Sequence, residues 1–144
     1  MLVAAVGATL AVRAATRLDR LHVRTDAAWA ALDAALRRRA LVVTQVASAP
    51  VPVALVARVG AREEAENELG RVLAVLDRAG LDPACADRLI DAEQRVVIAR
   101  RVYNDAVRDT LALRSHRMVR WFRLAGTAPL PRYFEIAEPF VVSE

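Results

Sequence analysis

Prolines and glycines divide this chain into its elements, because proline lacks an amide donor and pushes its predecessor out of the helical region, while glycine favours helix ends. Pro50 and Pro52 interrupt an apolar periodicity that begins near Arg13, and Gly126, Pro129 and Pro131 stop one that begins at Pro83. The spacing predicts three helices, over about 13–48, about 53–79 and 83 to about 124. On the first, Leu18, Leu21, Thr25, Ala28, Trp29, Leu32, Leu36, Arg39, Val43 and Val46 fall within about 100° of a helical wheel, opposite Asp26, Asp33, Arg37 and Arg38. The second buries Ala65, Leu69, Val72, Leu73 and Leu76. The third buries Leu89, Val96, Val97, Ala99, Tyr103, Val107, Leu111, Met118 and Phe122 over about 60 Å. Gly80 fits a left-handed helix-closing position, Asp82 an N-cap and Pro83 the first helical residue after it. So short a connection sets the second and third helices antiparallel.

The expected fold is therefore all-α: an antiparallel bundle of three long helices, or a four-helix variant, with a short extended C-terminal tail. Residues 1–13 form an apolar anchor segment, 14–128 the bundle and 129–144 the tail. Tyr133, Phe134 and Phe140 make that tail a strap folding back on the bundle end.

With 144 residues, 56% of them apolar, the chain has enough apolar surface for one packed domain, which excludes disorder. A single cysteine, Cys85, excludes a disulfide scaffold; in the first turn of the third helix it reads as a small helix residue. All 21 basic residues are arginine, and the net charge of +4 is unevenly spread. Residues 1–40 hold seven Arg and three acids, residues 41–93 five Arg and nine acids, and residues 94–144 nine Arg and five acids. That alternation suits helices that neutralise one another along an apolar seam, as in coiled coils. A soluble polyanion or nucleic-acid binder using Arg114, Arg117, Arg120 and Arg123 is an alternative function, although such a binder needs one-signed charge on one surface.

Met1 to Val12 carries no charge, and Arg13, Arg17, Arg20 and Arg24 follow it. As a helix it reaches about 18 Å, against the roughly 30 Å of a hydrocarbon core. Three readings stand: part of a transmembrane helix whose first half is missing or lies upstream, an interfacial helix end, or a buried helix start. If it anchors, the arginines place the body on the cytoplasmic face of the cell membrane. The segment Arg114-Ser115-His116-Arg117-Met118-Val119-Arg120-Trp121-Phe122-Arg123 reads as a solvated basic helix end or as a contact to anionic lipid or a partner, through Arg114, Arg117, Arg120, Trp121 and Arg123.

Arg39 lies within the first apolar stripe, and Glu93, Arg100 and Asn104 within the third. Because a lone buried charge costs several kcal/mol, these residues are expected to pair with one another or with Glu64 and Glu68 of the acidic helix, Arg39 with Glu93 in particular. Such a polar core fixes helix register or, alternatively, forms a small-molecule site. Asp19-Arg20-Leu21-His22 has one carboxylate–histidine spacing where a bundle metal site needs two, and His116 lacks an acid three residues earlier. No catalytic motif, metal site or cofactor is expected.

Arg17-Leu18-Asp19-Arg20-Leu21, Thr25-Asp26-Ala27-Ala28-Trp29-Ala30-Ala31-Leu32-Asp33, Leu36-Arg37-Arg38-Arg39, Ala65-Glu66-Asn67-Glu68-Leu69, the run from Glu93 to Val107 containing Ala99-Arg100-Arg101-Val102-Tyr103-Asn104-Asp105-Ala106-Val107, and Pro131-Arg132-Tyr133-Phe134-Glu135 appear in that order. Together they resemble the LemA family of small bacterial membrane-associated proteins. The resemblance implies an N-terminal membrane anchor, an antiparallel helical bundle and no established enzymatic activity. The chain departs from the family in its short apolar segment and in the stretch between Val46 and Ala65. The functional expectation is a non-enzymatic scaffold or assembly protein, with membrane lipids and a protein partner or a second copy as partners.

Overall fold

The structure, a computed structural model, describes residues 2–47, 59–115 and 129–136. The described residues form three α-helices, α1 (Leu2–Ala47), α2 (Val59–Ala74) and α3 (Pro83–Ser115), while residues 129–136 carry no regular secondary structure. This is the all-α bundle that the spacing predicts. Parts of the expected second and third helices, 53–58 and 116–124, lie outside the described residues.

The apolar run up to Val12 is the first three turns of α1 rather than a separate element. Four threonines interrupt this helix without breaking it, because each hydroxyl donates to a carbonyl one turn back: Thr9 to Val6, Thr16 to Val12, Thr25 to Leu21 and Thr44 to Ala40, at 2.8–2.9 Å. Among the described residues no helix is long and apolar enough to cross a membrane, since Arg13 ends the charge-free stretch of α1 after about 16 Å.

The chain folds as two compact units, Met1–Ala30 with Val102–Tyr133, and Ala31–Arg101 with Phe134–Glu144. In the first, α1 and α3 run antiparallel, because Arg24 meets Asp109, Thr25 meets Thr110 and Trp29 meets Tyr103. Leu18, Thr25 and Ala28 of α1 are buried, as are Tyr103, Ala106, Val107 and Thr110 of α3. The Thr25 and Thr110 hydroxyls lie 3.0 Å apart, one donating to the other. Trp29 is half-buried rather than fully enclosed, its ring tilted at 58° to that of Tyr103 with centroids 5.3 Å apart. The tail runs back along α3: Arg114 donates to the Pro129 carbonyl, and the Tyr103 hydroxyl to that of Arg132. The strap thus follows the helix side as well as folding back.

In the second unit Leu32, Leu36, Ala40 and Val43 of α1, Leu69 and Leu73 of α2, Leu89, Ala92 and Val96 of α3, and Phe134 of the strap are buried. Ala40, Val43, Leu69, Leu73 and Leu89 form one apolar cluster, with Val42, Val72, Leu76 and Leu81 packed around it. Residues late in α2 therefore meet residues early in α3, as an antiparallel pair requires. Asp33 pairs with Arg62 and Arg39 with Glu66, so α1 and α2 run parallel and are not a hairpin. α3 is the antiparallel partner of each.

Two details of the α2–α3 connection differ from the sequence reading. α2 stops at Ala74 rather than near Ala79, because Asp77 Oδ1 accepts the Ala79 amide and turns the chain locally. Gly80 lies within this turn and is not left-handed; a side chain there would come within 3.1 Å of Asp77 Oδ2. Asp82 does cap α3, its Oδ2 accepting the Ala84 amide at 3.1 Å.

Two stability predictions follow from these positions. Leu36→Ala, at a fully enclosed site, is expected to cost about 3 kcal/mol and Val75→Ala, at an exposed one, less than about 0.5 kcal/mol by urea denaturation; similar midpoint shifts would contradict this core. Tyr103→Phe removes the bond to Arg132 and is expected to lose about 1 kcal/mol while exposing the strap to proteolysis. Unchanged cleavage would mean that this bond does not hold the strap.

Candidate functional site

The most deeply placed polar atoms of the second unit converge on Glu66. Its Oε2 accepts Arg39 Nη2 at 2.6 Å and its Oε1 accepts Arg62 Nε at 3.1 Å, with all three side chains almost wholly enclosed. Arg62 Nη2 continues to Asp33 Oδ1 at 3.3 Å, and Asp33 Oδ2 to Arg37 Nε at 2.8 Å. The buried pair of guanidiniums is therefore matched by Glu66 and the partly exposed Asp33. Local spacing brings this about: Arg62, Glu66, Leu69 and Leu73 recur one helical turn apart on α2, so the ionic group continues the apolar face. Each Glu66 oxygen is already occupied by a guanidinium. Chemically the arrangement suits a fixed structural bridge better than a proton-transfer or substrate site.

The expected polar core is only partly this one. Arg39 is buried as read, but its partner is Glu66; Glu93 instead forms a two-pronged pair with Arg78 at 2.9 and 3.0 Å, so Arg39–Glu93 pairing is corrected. The hydrogen bonds that Arg78 donates to Glu93 raise its guanidinium above its ordinary range, burial opposing this and the charge of Glu93 adding to it. Glu64 is exposed, and Glu68 pairs with Arg71 at the surface at 2.6 Å. Neither enters the network, because their positions turn them away from the Glu66–Leu69–Leu73 face. Arg100 and Asn104 are half-buried on α3. Arg62 and Glu66 were not expected in the core, although their spacing of four and their continuity with Leu69 and Leu73 mark them; Asp33, placed with Arg37 on the solvated face of α1, reaches the group through Arg62.

A further carboxylate, Asp91, is held below its usual range by its bond to Arg95, with that charge and the charge of Arg38 assisting against desolvation; Arg95 is raised in turn. The strap joins the acidic helix where the Glu135 amide donates to Glu63 Oε1 at 2.7 Å. Asp19 is exposed and His22 half-buried, and among the described residues no group of three or more metal-ligating side chains comes together.

The second candidate surface is the end of α1. Val6, Leu10 and Val12 are exposed there, followed by exposed Arg13, Arg17, Arg20 and Arg24. Of the basic segment at the end of α3, Arg114 is placed, bonded to the strap; Arg117, Arg120, Trp121 and Arg123 lie outside the described residues.

Removing the carboxylate at the centre of the network strands two guanidiniums. Glu66→Leu is expected to cost about 3–5 kcal/mol, and Arg39→Met in the same chain to recover at least about 1 kcal/mol of it, because Arg62 keeps Asp33. A double-mutant cycle by denaturation checks this, with strict additivity contradicting the pairing.

Comparison with known family profiles, with curated proteins and with solved structures gives no match to this chain.

Proposed function

We propose that this chain is a non-enzymatic helical scaffold of the LemA type, attached peripherally to the cytoplasmic face of a bacterial membrane and presenting its bundle to a protein partner or to a second copy. The observation that carries this reading is the charge-free end of α1, which leaves Val6 51%, Leu10 43% and Val12 65% exposed immediately before a row of arginines. A helix end of this kind favours the headgroup–acyl boundary, where apolar side chains leave water and cations meet lipid phosphate. Support for the family reading comes from the roles of the residues that carry the resemblance. Arg39 and Glu66 form the buried ionic centre, Trp29 and Tyr103 form an aromatic pair, and Pro131-Arg132-Tyr133-Phe134-Glu135 is the strap with its buried phenylalanine. The non-enzymatic reading is supported by a polar core whose central carboxylate is occupied by two arginines.

Sedimentation of the full chain with anionic vesicles tests the reading. The chain is expected to pellet with them, and Leu10→Glu, which places a charge in the apolar end, to reduce the bound fraction several-fold while leaving the helical spectrum unchanged. Equal recovery of both proteins in the supernatant would sink the idea. Duplex DNA binding that falls steeply with salt, without lipid preference, would favour the polyanion binder instead.

A further inference from the structure

The exposed residues of α1 are ordered on its surface. At about 100° per residue, Val6, Leu10, Arg13, Arg17, Arg20 and Arg24 recur at intervals of four, three, four, three and four and fall within about 80° of one another. All six are exposed. The acids of this part of the helix, Asp19 and Asp26, lie about 100° or more from every member of the row. At the far end of the row Arg24 is drawn to Asp109 of α3, 3.0 Å away. One flank of α1 is thus apolar at its start and cationic for the next three turns.

We infer that this flank lies along an anionic lipid surface with the axis of α1 in the membrane plane, Val6 and Leu10 entering the acyl boundary and Arg13, Arg17 and Arg20 meeting headgroup phosphates. The inference rests on the membrane reading above and adds to it an orientation and a lipid class. An upright helix, inserted by its apolar end, lifts Arg20 about 10 Å further from the surface than Arg13. That distance is about one Debye length at ordinary ionic strength, so an upright α1 leaves Arg20 little to interact with. A recumbent α1 brings the three arginines to the same plane, where each guanidinium fork matches phosphate oxygens. Nucleic acid offers the same phosphates, but it gives Val6 and Leu10 no apolar phase to enter. Shared placement of the valine, the leucine and the arginines on one flank therefore favours lipid.

The test uses the full chain and vesicles of phosphatidylcholine alone or mixed with phosphatidylglycerol. Arg13→Gln and Arg20→Gln are each expected to weaken binding to the mixed vesicles about fivefold, the effect of one basic residue at an anionic surface. Arg101→Gln, an exposed arginine on α3, serves as the control and is expected to change binding less than twofold. Loss of affinity on Arg13→Gln with none on Arg20→Gln would overturn the recumbent orientation. Equal binding to the two vesicle types would overturn the anionic-lipid assignment while leaving the membrane reading intact, and Leu10→Glu would then still reduce the bound fraction several-fold. A chain that sediments with neither vesicle overturns both readings. Tight duplex DNA binding that depends on Arg13 and Arg20, without vesicle binding, replaces them with a nucleic-acid surface.

Discussion

The Glu66 carboxylate, held between Arg39 and Arg62, is the constraint on which the second unit depends. Leucine stripes give two helices a reason to associate, yet they tolerate sliding and reversal because apolar contact has no direction. A buried carboxylate does not. Shifting α2 by one turn, about 5.4 Å, would carry Glu66 out of reach of Arg39 and Arg62 away from Asp33, leaving desolvated charges that cost several kcal/mol each. The ion group therefore selects one register and one direction for α2 on α1. That direction is parallel, and it leaves α3 as the antiparallel neighbour of both helices, closing the cluster of Ala40, Val43, Leu69, Leu73 and Leu89.

The first unit reaches definition by other means. Its buried α1 and α3 positions include Ala28, Ala106, Thr25 and Thr110, small residues that allow close backbone approach. Such a seam supplies less apolar area than leucines do, and the missing specificity comes from directional contacts. The Thr25–Thr110 hydroxyl pair, the tilted Trp29–Tyr103 rings and the Arg24–Asp109 pair each fix a level along the helices. Tyr103 serves twice, because its ring meets Trp29 while its hydroxyl holds the strap at Arg132. Phe134, two residues on, is fully enclosed in the second unit. A single aromatic anchor beside hydrogen bonds to backbone groups is enough to order a short segment that has no secondary structure of its own.

Helices, buried faces and the Asp82 cap were legible in the sequence because each is set by residues within a turn or two. Prolines, periodic leucines and an N-cap act locally, and the structure follows them. What was not legible depends on which helix lies beside which. Glu93 occupies an apolar face and has an arginine partner, but Arg78 in the adjoining turn reaches it where Arg39 was expected to. Glu64 and Glu68 belong to the acidic helix as expected, yet only Glu66 shares the face of Leu69 and Leu73. That choice was available from spacing alone, whereas the parallel direction of α1 and α2 is written in no local pattern. Trp29 and Gly80 show the same limit: a stripe position does not say how deeply a large ring is covered, nor does a glycine near a helix end say that it closes the helix.

The arginines themselves divide according to whether a carboxylate lies within reach. Arg39 and Arg62 are neutralised inside the second unit; Arg37, Arg71, Arg95 and Arg108 are paired one turn along their own helices with Asp33, Glu68, Asp91 and Asp105. Pairs of this kind contribute little stability each, but they cancel field. Arg13, Arg17 and Arg20 have no acid three or four residues away in either direction. The positive potential of the α1 flank is therefore uncancelled along its own helix while that of many other arginines is spent locally. Because salt screens such a field within about 10 Å, it acts only on an anionic surface brought into contact. Val6 and Leu10, exposed next in the same row, add apolar surface beside that charge, and this combination is what the proposed lipid contact rests on.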